Sequence, residues 1–113
     1  MKIYHNPRCR KSRQTLAILN EKNIKFEIVE YLKDNFSISD LKIIIEKLEI
    51  NPIELVRKNE SIWKEKYKGK NLSDEEIFQA MVENPKIIQR PIVTNRKKAV
   101  LGRPPENVLK IIN

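Results

Sequence analysis

The first third of the chain has a hydrophobic pattern that predicts strand, helix and strand. Residues 2–5 form a short apolar strand that ends in an Asn-Pro turn. The segment that follows carries Leu16 and Leu19 on one face, which predicts a helix ending near residues 20–23. Residues 25–31 then alternate as a half-buried strand. Three elements within about thirty residues fit a βαβ unit with a right-handed crossover.

In the second of these strands, three apolar side chains are expected to point inward: Phe26, Ile28 and Val29. The middle of the chain is predicted to be helical. Four of its apolar residues have helical spacing: Leu41, Ile44, Ile45 and Leu48. Ser37 or Ser39 is expected to start this helix, and Pro52 to open another that runs to about Lys58.

The sequence Ser-Asp-Glu-Glu at 73–76 predicts a capping box, and therefore a helix that ends at the Asn-Pro pair 84–85. Residues 92–94 and 99–101 read as a strand pair joined by a polar turn, and a last helix follows after Gly102. This order predicts one α/β domain over 1–113. Its sheet is mixed, and a helical insertion covers about 37–88.

Composition restricts the class of protein. The 113 residues are 40% hydrophobic and 34% charged, which allows a packed core. A single cysteine excludes a disulfide within the sequence, so redox chemistry needs a thiol from another molecule. No signal-peptide pattern or membrane-length apolar stretch occurs, so a cytoplasmic location is expected. A monomer is expected, since no apolar surface stripe is left over.

The net charge of +8 fits a nucleic acid, an anionic membrane, a small anionic substrate or simply a solvated basic surface. The basic residues are scattered, and aromatic residues make up 6%. Helix-turn-helix, zinc-finger and aromatic stacking signatures are missing. We therefore expect no nucleic-acid or membrane partner, although charge alone does not choose among the remaining options.

The most informative residue is Cys9, which lies between the first strand and the first helix. A thiol at a helix N-terminus is stabilised as the anion by backbone N–H groups and the helix dipole. Four nearby cations act in the same direction: Arg8, Arg10, Lys11 and Arg13. The alternative is an inert buried cysteine, which behaves as a small hydrophobe. The setting favours a nucleophilic thiolate inside an anion site.

Several short motifs follow one another along nearly the whole chain. They are Tyr4-His5-Asn6-Pro7-Arg8-Cys9, Ser12-Arg13, Thr15-Leu16, Leu55-Val56-Arg57-Lys58-Asn59, Asn84-Pro85, Arg90-Pro91-Ile92-Val93 and Gly102-Arg103-Pro104. In this combination the chain resembles the glutaredoxin-coupled arsenate reductases, a branch of the thioredoxin-like fold. The resemblance implies a thioredoxin/glutaredoxin-like mixed sheet with a helical insertion before the C-terminal hairpin and helix.

The resemblance also implies a catalytic mechanism. Cys9 is expected to attack arsenate, while Arg57, Arg90 and Arg103 hold the oxyanion. Guanidinium groups suit this task because their planar fork donates two parallel hydrogen bonds to a tetrahedral oxyanion. Taken alone, each arginine is equally well explained as a solvated surface residue.

Three further residues are expected near the thiol. His5 is implied to tune the ionisation of Cys9, although a packed histidine without an acid/base role is the alternative. Ser12 replaces the second cysteine of two-thiol oxidoreductases; its hydroxyl either donates to the thiolate or caps the helix. Pro91 is expected to be cis and to lie beside Cys9, whereas an ordinary trans proline is the alternative.

No metal and no bound cofactor are expected. Glutathione, or an equivalent small thiol, is the implied co-substrate, and a glutaredoxin is the implied partner that reduces the mixed disulfide on Cys9. Arg10 and Lys11 depart from the small residues that follow the nucleophile in the family. Two alternatives therefore stay open: a glutathione-dependent oxidoreductase with another substrate, and an Spx-type regulator that binds RNA polymerase. The regulator is disfavoured because Ser12 breaks its Cys-x-x-Cys switch.

Overall fold

A computed structural model describes residues 1–34 and 36–112. Two compact units are distinguished: Met1–Asp34 together with Arg90–Asn113, and Asn35–Gln89. The predicted helical insertion, 37–88, falls inside the second unit. That the whole chain forms one domain stays a prediction.

The first unit is built on a four-stranded mixed sheet, as predicted. Its strands are β1 (Lys2–Tyr4), β2 (Glu27–Val29), β3 (Ile92–Thr94) and β4 (Ala99–Leu101). They lie in the order β2-β1-β3-β4. β1 pairs with β2 in parallel and with β3 in antiparallel orientation, and β4 closes a hairpin with β3. The crossover from β1 to β2 therefore needs a helix, whereas β3 and β4 need only a turn.

One face of this sheet carries the core of the first unit. Helix α1 (Arg10–Glu21) and a 3-10 helix (Pro105–Ile111) supply the other side of that core. The buried cluster consists of Ile3, Leu19, Val93, Val108 and Ile111. The C-terminal element is thus a helix, as predicted, although of the 3-10 type. Packing of α1 against the sheet fixes where its N-terminus lies, and Cys9 with it.

The predicted inward position of Ile28 is wrong. Its side chain is 48% exposed, although it pairs in register with the fully buried Ile3. The reason is the strand order, because β2 is an edge strand of the sheet. Period-two alternation identifies a face, but it does not show whether that face is covered at the edge.

The second unit is helical among its described residues. Its elements are α2 (Ile38–Leu48), α3 (Ser61–Lys66), α4 (Asp74–Glu83) and the 3-10 helices Pro52–Leu55 and Pro85–Ile87. Ser37 starts α2, rather than Ser39, through a capping box with Asp40. The predicted box of Ser73 and Glu76 starts α4. Within residues 1–34 and 36–112, no helix is both long and apolar enough to cross a membrane.

Two predictions for the second unit need correction. The helix that Pro52 opens ends at Leu55 rather than near Lys58. It ends there because Val56 is itself extended and forms a β-bridge with Ile88. Helix α3 was not predicted, and it is held by the buried Trp63, whose ring stacks on Tyr67 at 5.3 Å between centroids.

Candidate active site

The loop after β1 holds Cys9 at the N-cap of α1. Asn6 organises this loop with both backbone and side chain. Its carbonyl accepts from the Cys9 N–H at 2.9 Å, and its Oδ1 accepts from the Arg8 N–H at 3.0 Å. Its own N–H donates to Ser12 Oγ at 3.2 Å. Asn6 therefore fixes the path of the chain into the nucleophile, a role that the sequence alone did not show.

The Cys9 thiol is buried, with 9% of the residue exposed. Burial raises the pKa of this thiol, but hydrogen bonds to the sulfur outweigh the burial. They come from the Ser12 N–H, the Arg90 guanidinium and the Lys11 N–H, and Arg90 adds its positive charge. The net pKa of Cys9 lies below its ordinary value, as a nucleophilic thiolate requires.

The cation that lowers the pKa of Cys9 is a distant one in sequence. Arg90, from the loop before β3, acts on the sulfur. The four neighbouring cations were expected to do so, and the charge that lowers this pKa here is that of Arg90. Arg13 turns back and donates from Nη1 to the Pro7 carbonyl at 2.9 Å. The predicted direction of the pKa shift is therefore right, and a contribution from the four neighbouring cations stays a prediction.

Arg90 links the thiol to a tyrosine. Burial lowers the pKa of the guanidinium, but the sulfur of Cys9 and the hydroxyl of Tyr31 raise it above its ordinary value. Both groups interact electrostatically with the Arg90 guanidinium. Tyr31 is only 1% exposed, so its hydroxyl holds a fixed place next to Arg90. In the sequence, Tyr31 is an aromatic residue with a hydroxyl that follows a strand. Many tyrosines have such a position, so the sequence did not mark this one as a site residue.

Pro91 and Gly102 meet in a tight contact behind Arg90. The Arg90–Pro91 bond is cis, as the resemblance implies, and Arg103–Pro104 is cis as well. The Gly102 N–H donates to the Pro91 carbonyl at 2.9 Å. A Cβ at Gly102 would lie 2.5 Å from Thr15 Oγ1 and 2.7 Å from Pro91 Cγ. Only glycine fits here without a shift of its neighbours.

The other two predicted arginines have different surroundings. Arg103 is exposed, and its Nη1 donates to the Arg90 carbonyl at 3.3 Å, which brings it to the Arg90 loop. Arg57 belongs to the second unit, where its Nη1 lies 2.6 Å from the Glu60 carboxylate. The structure thus brings Cys9, Arg90 and Arg103 into one unit. A shared oxyanion site that includes Arg57 stays a prediction.

His5 is buried where the loop leaves β1. Burial lowers the pKa of its imidazole, Glu30 raises it, and Arg13 lowers it; the net pKa lies below the ordinary value. The ring is therefore neutral at pH 7. The groups that lower the pKa of Cys9 do not include His5. A role for His5 in tuning the thiol stays a prediction.

Ser12 is the third residue of α1, and the N-cap is Cys9. The capping alternative for Ser12 is therefore wrong. Its backbone N–H hydrogen-bonds to the sulfur, while its hydroxyl accepts from Asn6. Donation from the hydroxyl to a thiolate or a bound anion stays a prediction. Within the described ranges, no three His, Cys, Asp or Glu side chains are grouped to hold a metal ion.

A parallel β1-α1-β2 unit, a β3-β4 hairpin and a thiol of lowered pKa at the start of α1 define a thiol-based protein of thioredoxin-like fold. The family model of the ArsC family matches residues 4–111, so the chain belongs to the ArsC family. The comparison thus confirms the resemblance.

Individual relatives agree with this assignment. The chain is 46% identical to the Escherichia coli K12 protein YfgD, which carries the name of an uncharacterized protein, over 99% of this chain and 96% of that one. It is 43% identical to an arsenate reductase of Haemophilus influenzae, with 97% of each chain covered. A solved structure of the arsenate reductase from Vibrio cholerae superposes with a TM-score of 0.94 at 43% identity, covering 99% and 98%.

Proposed function

We propose that this protein is an arsenate reductase in which Cys9 is the nucleophile and an external thiol supplies the reducing electrons. The observation that carries the proposal is the contact of a buried, anion-stabilised thiol with Arg90. A thiolate beside a guanidinium can attack an oxyanion while the cation offsets the charge that develops. The relatives named as arsenate reductases support arsenate as that oxyanion.

In the first step the Cys9 thiolate attacks the arsenic of arsenate. A sulfur–arsenic(V) bond forms, and an arsenate oxygen leaves as water after taking up protons. Arg90 is the first cation for the oxyanion because it already touches the sulfur. Arg103 and Arg57 supply further donors, and Arg57 must first release Glu60, 2.6 Å away.

In the second step glutathione, as thiolate, attacks the Cys9 sulfur of the adduct. A sulfur–sulfur bond forms, and the electron pair of the sulfur–arsenic bond stays on arsenic, which leaves as arsenite. Arsenic gains two electrons, and the two sulfurs lose them. A glutaredoxin thiol then attacks the mixed disulfide and returns Cys9 to the thiolate. The single cysteine of the sequence fits this route, because the resolving thiol has to come from outside.

A second candidate keeps the thiol chemistry and changes the substrate. The ion pair of Arg57 with Glu60 favours this candidate. One of the three arginines expected to bind the oxyanion is paired with a carboxylate instead. The protein would then reduce glutathione mixed disulfides at Cys9 and need only Arg90 beside the sulfur.

The deciding experiment is arsenate reduction by the purified full chain with glutathione and a glutaredoxin, measured as arsenite formed. Wild type is expected to turn over, and Cys9→Ser to lose all activity above background. Arg96→Gln, in the exposed turn between β3 and β4, is the matched control and should keep the wild-type rate.

The same proteins are then assayed with a glutathione mixed disulfide in place of arsenate. Turnover of the disulfide together with no arsenite formation would replace the first proposal with the second. Arsenite formation at the wild-type rate by Cys9→Ser would contradict the first proposal, and disulfide turnover at the wild-type rate by that variant would contradict the second.

A further inference from the structure

The charge of the chain is divided unequally between its two units. The first unit, which carries Cys9, has 14 basic and 5 acidic residues and a net charge of +9. The second unit has 9 basic and 10 acidic residues and a net charge of −1. The whole excess of positive charge therefore belongs to the unit that holds the thiol, and it exceeds what one small oxyanion needs.

Exposed arginines are concentrated at the nucleophile. We call four of them the basic rim: Arg8, Arg10, Arg13 and Arg103. The first two are the chain neighbours of Cys9 on either side. Arg13 Nη1 donates to the Pro7 carbonyl at 2.9 Å, which holds this guanidinium at the loop before Cys9. Arg103 Nη1 donates to the carbonyl of Arg90, the residue whose guanidinium acts on the sulfur.

No acid offsets the charge of the basic rim. Among residues 1–34 and 36–112, none of its four arginines is paired with a carboxylate. Two lysines of the same unit, Lys2 and Lys33, each have such a partner. Like charges that stay unpaired on one surface repel each other and lower stability, so the rim indicates a ligand of opposite charge.

The exposure of the basic rim favours a protein as this ligand. An oxyanion that reacts at the buried sulfur meets Arg90, whereas the rim lies in solvent. Exposed charges beside a reaction centre mainly raise the rate of encounter with a charged partner, and a large partner contacts several of them at once. The proposed cycle has one protein partner, the thiol protein that reduces the mixed disulfide. Its sulfur has to reach the disulfide on Cys9, so its surface contacts the rim.

We infer that the basic rim docks the acidic surface of the thiol protein that regenerates Cys9, and that Arg8 and Arg10 select this partner by charge. After docking, the partner's thiolate attacks the outer sulfur of the mixed disulfide. A new sulfur–sulfur bond forms, and Cys9 leaves as the thiolate. The inference rests on the proposed function, because it names the surface chemistry of the protein partner in that cycle.

The test measures how fast two glutaredoxins reduce the full chain that carries glutathione on Cys9. One glutaredoxin has an acidic surface around its thiol, and the other has a basic one. Mass spectrometry of acid-quenched samples gives each rate constant, which is divided by the rate constant for dithiothreitol. This ratio cancels any change in how readily Cys9 leaves. Wild type should react about tenfold faster with the acidic protein at about 20 mM salt, and less than about twofold faster at about 500 mM.

Variants locate the effect on the surface. Arg10→Glu should lower the ratio for the acidic glutaredoxin about fivefold at low salt, and the double variant with Arg8→Glu should lower it further. Arg10 begins α1, where a glutamate suits the helix dipole, so this variant is expected to fold. The comparison of the two glutaredoxins needs only wild type, so a double variant that failed to fold would not leave the question open.

The matched control is Arg96→Glu, the same change of charge in the exposed turn between β3 and β4. The strand register places this turn at the Lys2 end of β1, whereas Cys9 follows the other end. Arg96→Glu should therefore react like wild type. An equal loss in Arg96→Glu and Arg10→Glu would overturn the inference, because net charge rather than the rim would then set the rate.

Equal rates of wild type with the two glutaredoxins at low salt would also overturn the inference. So would a raised KM for arsenate in Arg10→Glu with unchanged reduction rates, which would assign the rim to small oxyanions. Weaker binding of a DNA duplex by Arg10→Glu, again with unchanged reduction rates, would assign it to nucleic acid and overturn the inference as well.

The result is separable from the proposed function. Charge-dependent reduction of the mixed disulfide without arsenate turnover would contradict arsenate as the substrate only. Arsenate turnover with reduction rates that ignore the charge of the glutaredoxin would contradict the role of the basic rim only.

Discussion

Arg90 and Arg57 were predicted for the same oxyanion, and they lie in opposite electrostatic surroundings. Arg90 touches the Cys9 sulfur and the Tyr31 hydroxyl, and its pKa is raised by both. Arg57 lies 2.6 Å from the Glu60 carboxylate, in the second unit. The difference shows that the presence of an arginine in a motif does not fix its use. The charge of Arg90 acts on the Cys9 thiol, whereas that of Arg57 is offset by Glu60.

Removing the Arg90 charge should have the largest effect. Arg90→Gln is expected to lower arsenate reduction on the order of 100-fold, since it removes a preorganised cation at the reacting sulfur. It should also slow alkylation of Cys9 by iodoacetamide at pH 7, because less thiolate is present. Arg57→Gln should leave the alkylation rate unchanged. If both variants slowed alkylation equally, the contrast between the two arginines would be wrong.

Releasing Arg57 should have an intermediate effect. Glu60→Gln removes the carboxylate that competes with the oxyanion, so the KM for arsenate should fall about fivefold with little change in kcat. Steady-state kinetics measure both constants. Glu65→Gln, an exposed acid on the same α3 helix, is the control and should match wild type. A higher KM in Glu60→Gln would instead mean that Glu60 holds Arg57 in its working position.

Loosening Arg90 without removing it should have a smaller effect. Tyr31→Phe deletes the hydroxyl that interacts with the Arg90 guanidinium, so the pKa of Cys9 should rise and alkylation at pH 7 should slow about threefold. The measurement is the pH profile of alkylation. Tyr67→Phe, the same atomic change in the second unit, should leave the profile in place. A profile that does not move in Tyr31→Phe would show that burial alone positions Arg90.

The smallest effect concerns stability against pH. The folded-state pKa of Cys9 is lowered below the value of an unperturbed thiol, which is that of the unfolded chain. Between the two values the unfolded chain binds the extra proton, so the free energy of unfolding rises with pH. This contribution is complete above the unfolded pKa and is lost as pH falls through the folded one. Urea unfolding of the reduced protein, minus that of Cys9→Ser, should show the rise.

Removing Arg90 supplies the control for this pH effect. In an Arg90→Gln background the pKa of Cys9 should move back toward its unfolded value, and the rise between wild type and Cys9→Ser should shrink. A rise of the same size in that background would show that the backbone N–H groups alone stabilise the thiolate.

The sequence predicted those features that local chemistry decides. The capping box of Ser73 and Glu76 is a local pattern of four residues, and α4 begins where it predicts. For α2 the sequence offered Ser37 or Ser39, and the structure selects Ser37. The hairpin of β3 and β4 occupies the predicted residues because a polar turn between two apolar triplets leaves few alternatives. The position of Cys9 at the start of α1 followed from the same kind of signal.

Features that depend on tertiary neighbours were missed. Ile28 was expected inside because alternation does not reveal that β2 is an edge strand. The helix at Pro52 stops early because Val56 is taken by a bridge to Ile88. The contact of Arg90 with Cys9 and Tyr31 joins three distant segments, and the family motif gave Arg90 but not Tyr31. No local pattern encodes which distant cation reaches the sulfur.

Cys9 is the N-cap residue of α1, so its thiol lies where the helix leaves its first N–H groups unpaired. The backbone N–H groups of Lys11 and Ser12 help to lower the pKa of this thiol. In the proposed cycle, a sulfur bonded to arsenic or to a second sulfur loses the charge that attracts these N–H groups. We therefore expect each turnover to loosen and re-form the first turn of α1. Amide exchange at Lys11 and Ser12 becomes a readout of which covalent state Cys9 occupies.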